Sequence, residues 1–136
     1  MNFLLKFATC CLVLQGGVAF ASDWKFVASS VSGTDVYVDT ESWRELPPVQ
    51  IKRPFAVRQI WVKYDYSADK TETAKSKVEL LRFNCIAETS AQASSVSYGA
   101  DGTVVKSKTW DDFDFNYEPE VPDTIGYAIM EFACGK

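Results

Sequence analysis

The stretch Val78-Glu79-Leu80-Leu81-Arg82-Phe83-Asn84-Cys85-Ile86 constrains the fold more than any other part of the chain. Leu81, Phe83 and Cys85 recur at period two, the repeat of a strand with one buried face, so the segment predicts a long central β-strand. Cys85 is one of two cysteines beyond the N-terminal 21 residues, and the other, Cys134, closes a short apolar stretch at the C-terminus. A bond between them would pin that terminus onto the strand.

Residues 1–21 combine a basic start at Lys6, an apolar run from Phe7 to Phe20 and the small-x-small triplet Ala19-Phe20-Ala21, the order of a secretory signal peptide. Gln15, Gly16 and Gly17 interrupt the run, which is shorter than the roughly 20 apolar residues of a membrane span. Cys10 and Cys11 lie inside it, too early for lipidation at a cleavage point. The exported form is therefore expected to begin at Ser22, to fold as a single domain over 22–136 and to carry neither a transmembrane nor a lipid anchor. In an oxidising compartment its two cysteines favour a disulfide, since a zinc site needs about four ligands and the chain has no histidine.

Hydrophobic periodicity divides the remainder into strands and one helix. Trp24, Phe26 and Ala28 share one face of a strand ending near Ser30; the turn Ser32-Gly33-Thr34 and the run Val36-Tyr37-Val38-Asp39 complete a hairpin. Pro47, Pro48 and Pro54 cannot donate to a sheet ladder, so 40–54 reads as a connecting loop with one helical turn at Ser42 and Trp43. From Ala56 to Tyr66 alternation returns, with Ile60, Val62, Tyr64 and Tyr66 on one face and Trp61, Lys63 and Asp65 on the other. The polar segment 67–75 reads as a solvated link, and Gly99-Ala100-Asp101-Gly102 as a tight turn joining Ala91–Tyr98 to Thr103–Trp110.

Near the C-terminus the period changes. Ile125, Ala128, Ile129 and Phe132 follow the spacing of one helix face, with Asp123 as a candidate N-cap and Gly135 as the stop. A helix of about ten residues is marginal alone, and Gly126 costs it about 1 kcal/mol, so it must lie on the sheet. The expected fold is α+β: roughly six mainly antiparallel strands, with one C-terminal α-helix tethered by Cys85 and Cys134.

Several functions are disfavoured at this level. Without the leader the chain has 13 Lys and Arg against 18 Asp and Glu, a net charge of −5, and its longest basic cluster is Lys52-Arg53, which argues against nucleic acid. The absence of histidine removes Ser-His and Cys-His nucleophilic pairs, so the chain is not expected to be an enzyme. Asp111, Asp112 and Asp114 lack the glycine and distal glutamate of an EF-hand loop, and no metal or cofactor is assigned. The connection 110–120 combines Trp110, Phe113, Phe115 and Tyr117 with five acidic residues. These four aromatics are the candidate binding residues, with packing under the helix as their alternative role.

The landmarks, in order, are a signal peptide, Trp24, the strand end Tyr37-Val38-Asp39, Trp61 in a long strand, Cys85, Tyr98, Gly102, Trp110 and a terminal Cys134. Together they resemble the surface-adhesin protein E family of exported Gram-negative bacterial proteins. The resemblance implies an antiparallel sheet with a disulfide-tethered helix, and a surface adhesin that binds host extracellular-matrix or serum proteins. Haem is also associated with the family; here Tyr or Met would have to hold it. The missing lipid-attachment cysteine suits a second reading, a soluble periplasmic protein that binds or inhibits another exported protein or supports the envelope.

Overall fold

The computed structural model describes residues 21–49, 53–111 and 115–135; residues 1–20 of the expected leader and Phe113 lie outside that set. The described strands are β1 (Trp24–Ser29), β2 (Asp35–Asp39), β3 (Arg44–Leu46), β4 (Val57–Asp65), β5 (Ser76–Asn84), β6 (Thr89–Tyr98), β7 (Val104–Thr109) and β8 (Glu118–Pro119), followed by helix α1 (Ile125–Cys134). All pairings are antiparallel, in the order β1-β2-β4-β5-β6-β7, with β3 on β4 and β8 on β6. The six expected strands form this path, and β5 lies at its centre.

The two extra strands correct the sequence reading. Residues 44–46 pair with the start of β4, beyond the point where β2 stops, although the surrounding prolines pointed to loop. Pro47 and Pro48 limit β3 to three residues without preventing it. A 3₁₀ turn at Thr40–Ser42 stands one residue or so before the turn expected at Ser42 and Trp43. The strand expected to reach Ile86 ends at Asn84, whose side chain accepts hydrogen bonds from the amides of Ile86 and Ala87, and Ile86 is fully exposed.

The core forms where the helix lies on the sheet. Val36 and Val38 of β2, Ile60 and Val62 of β4, Leu81 and Phe83 of β5 and Ile129, Met130 and Ala133 of α1 make one buried cluster. Alternation brings the strand residues to one face, because Val38 pairs with Val62 and Ile60 with Leu81. In β1 a bulge between Phe26 and Ala28 breaks the expected common face. Ala28 pairs with Val36 on the helix side, whereas Phe26 pairs with Tyr37 on the far side and stays half exposed.

Both ends of α1 are closed by side chains. The N-cap is Thr124, whose hydroxyl accepts from the Tyr127 amide at 3.2 Å; Asp123, the expected cap, has φ 63° and precedes it. Gly135 takes the left-handed conformation that ends the helix, as expected. Trp43 Nε1 donates to the Ala133 carbonyl at 3.0 Å, and Arg58 Nη1 donates to the Cys134 carbonyl at 2.7 Å, so a guanidinium sits at the negative end of the helix dipole. The Cys85–Cys134 disulfide, with Cα atoms 5.7 Å apart, ties the same end to the residue that follows β5.

The link 67–75 is not wholly solvated. Asp69 is buried and accepts from Ser32 Oγ at 2.5 Å, Thr34 Oγ1 at 2.6 Å and Thr71 Oγ1 at 2.6 Å, joining the β1–β2 turn to the β4–β5 link. The Ser32 and Thr34 hydroxyls, then Thr71, hold its carboxyl well below the usual carboxylate range. A depressed folded-state pKa contributes stability above the unfolded value of about 3.9, which is lost as pH falls through the folded value. Asp69→Asn is expected to lower Tm at neutral pH and flatten its decline below about pH 4. Equal acid slopes for the two proteins, measured by thermal unfolding across that range, would reject this role.

Candidate functional site

The helix covers only one face of the sheet, and the opposite face carries large half-buried side chains. Registration places Tyr37, Lys63, Val78 and Val96 in one row across β2, β4, β5 and β6, and Trp61, Leu80 and Ser94 in the next. Trp24 and Tyr37 flank Lys63, whose Nζ lies 5.1 and 4.8 Å from their ring centroids, and Phe26 packs edge-on against Tyr37 at 5.7 Å. Trp24, Trp61, Val78, Val96 and Tyr98 line a depression of about 240 Å³ here. The surface is apolar and aromatic but keeps a cation within it.

The same face continues toward the C-terminal connection. Arg82 Nε donates to Gln59 Oε1 at 2.9 Å, and the Arg82 guanidinium lies 4.7 Å from the Phe115 ring centroid. Phe115 meets Tyr117 edge-on, and Tyr117 in turn meets Phe55, with centroids 6.3 and 5.1 Å apart. Arg82 alternates with Leu81 and Phe83, so this aromatic group stands opposite the helix rather than under it.

Trp110 is placed elsewhere. It lines a cavity of about 350 Å³ on the helix side of the sheet, beyond the helix itself, together with Lys77, Glu79, Gln92, Ser95, Ser97, Lys106 and Lys108. The structure therefore does not gather the four predicted aromatics: Phe115 and Tyr117 are adjacent, Trp110 is on the other face, and Phe113 is outside the described residues.

The cavity floor holds a buried carboxylate. Glu79 is 5% exposed, pairs with Lys77 Nζ at 2.8 Å, accepts from Gln92 Nε2 and is hydrogen-bonded to Tyr64. Burial, then the Glu79 charge, pushes the Tyr64 phenol far above its ordinary range, so it remains a neutral donor. Burial alone would lower the Lys77 pKa, but the hydrogen bond and charge of Glu79 outweigh it and raise the value above normal. Both partners are thus held in their pairing forms.

Sequence reasoning missed Trp24, Tyr37, Trp61 and Lys63 as one surface. The usable signal was Trp61 on the outward side of an amphipathic strand, where a polar residue is the default. The sequence profile of surface-adhesin protein E matches residues 24–135. No curated protein and no solved structure gives a significant match.

Proposed function

The chain belongs to the surface-adhesin protein E family, and from that premise we propose that it is an exported, non-catalytic binding protein whose sheet face opposite the helix holds a protein partner. The partner is a host extracellular-matrix or serum protein. The observation that carries this reading is the half-buried aromatic surface of Trp24, Tyr37 and Trp61, extended by Phe115 and Tyr117. Such anchors dominate interface energies, and Lys63 and Arg82 among them supply the polar contacts that orient a partner. No described helix is long and apolar enough to cross a membrane.

The test is binding of the purified protein to a panel of extracellular-matrix and serum proteins. Trp61→Ala and Phe115→Ala are each expected to weaken the captured partner by about 1 to 3 kcal/mol with Tm nearly unchanged. Unchanged affinity in both variants would remove this face from the function, and a fall in Tm of several degrees would assign the rings to packing. Protease accessibility on intact cells separates an adhesin from the periplasmic reading. An adhesin is cut without permeabilising the outer membrane.

A further inference from the structure

The polar cavity beside Trp110 follows from strand registration. Lys77 of β5, Ser97 of β6 and Lys106 of β7 form one row; Glu79, Ser95 and Lys108 form the next. Neighbouring strands lie about 4.8 Å apart, so the β5 and β7 side chains of each row stand about 10 Å apart across the serines. Short serines between long side chains make a groove with a hydroxyl-bearing floor. Gln92 and Trp110 also line it, and Lys108 Nζ lies 4.5 Å from the Trp110 ring centroid.

The groove's charge opposes that of the chain. Its three ammonium groups face one carboxylate, in a protein of net charge −4. That carboxylate is already engaged by Lys77, Gln92 and Tyr64, whereas Lys106 and Lys108 form no ion pair among the described residues. Lysines on an edge strand also discourage strand addition, but that role requires neither the serine floor nor the tryptophan.

We propose that this groove binds an acidic oligosaccharide, with Lys106 and Lys108 holding its sulfate or carboxylate groups, Ser95, Ser97 and Gln92 its hydroxyls, and Trp110 packing against a sugar ring. Apart from Glu79, which Lys77, Gln92 and Tyr64 engage, this occupant uses every kind of side chain present: cations for the acid groups, hydroxyls and an amide for the polyol, and an aromatic surface for the ring. The groove lies on the opposite face from the protein-binding surface, so the two readings can fail separately.

Calorimetric titration of the purified, disulfide-intact protein at low salt tests it with a heparin oligosaccharide, an oligogalacturonate, a neutral malto-oligosaccharide and sulfate ion alone. Both acidic sugars are expected to bind, more weakly as salt rises, and the neutral sugar is not. Lys106→Gln with Lys108→Gln should weaken acidic-sugar binding at least tenfold. Trp110→Ala should weaken the sugars but not sulfate. Lys70→Gln, in the β4–β5 link, and Trp61→Ala should leave acidic-sugar binding unchanged. If the double variant lowers Tm, Lys106→Gln alone carries the same comparison, with at least a threefold loss expected. The proposal is overturned by equal binding of the neutral sugar, by an equal loss in Lys70→Gln, by sulfate ion binding as tightly as either oligosaccharide, or by undiminished affinity in the lysine variants.

Discussion

Replacing both cysteines, as Cys85→Ala with Cys134→Ala, is expected to lower the unfolding free energy by about 4 kcal/mol. The bond joins positions 49 residues apart, and the chain-entropy cost of leaving that loop open in the unfolded state gives the figure. At the scale of this chain the loss corresponds to a fall in Tm on the order of 15 °C. The helix should respond first, because its ten residues cannot sustain a helix alone and its buried side chains Ile129, Met130 and Ala133 depend on docking. Hydrogen exchange should therefore show the amides of α1 losing protection before those of β4 and β5. A loss below about 1 kcal/mol would mean that Arg58, Trp43 and the apolar contacts dock the helix without the covalent tie.

Phe83→Ala is expected to cost about 3 to 5 kcal/mol, measured by urea unfolding at unchanged slope. Among the described residues Phe83 is the largest fully buried side chain, on the central strand beneath the helix, and Ile60 and Met130 of the same buried cluster belong to close-packed elements that cannot collapse into the space. Leu80→Ala provides the contrast: its side chain is on the uncovered face and only half buried, so the loss should be near 1 kcal/mol. Similar costs at the two positions would contradict the assignment of one covered and one open face. Cys85 lies one residue past β5 and packs against the buried cluster that contains Phe83, so combining Phe83→Ala with loss of the disulfide should not give additive effects.

Alternation in β4 and β5 was enough to place Ile60, Val62, Leu81 and Phe83 in the core, because a strand repeats every two residues whatever its neighbours are. The bulge that turns Ala28 away from Phe26 was not readable, since an inserted residue is defined only by the partner strand it fails to match. Gly126 shows the same limit. In isolation it weakens a helix, yet a Cβ there would collide with the Glu120 carboxylate, which Ser90 holds against the first turn.

The sequence by itself determined six of the strands along the chain, the C-terminal helix and the Cys85–Cys134 partnership, because local periodicity and the presence of two cysteines beyond residue 21 depend on no distant contact. The tertiary structure alone decided which aromatic residues share a surface. Trp110 and Phe115 are close in sequence but stand on opposite faces of the sheet. Trp24, Tyr37 and Lys63 are far apart in sequence and meet only because β1, β2 and β4 are paired in one register. The lysine and serine rows of the groove likewise exist only once β5, β6 and β7 are aligned, since a cross-strand neighbour is a property of pairing and not of either strand.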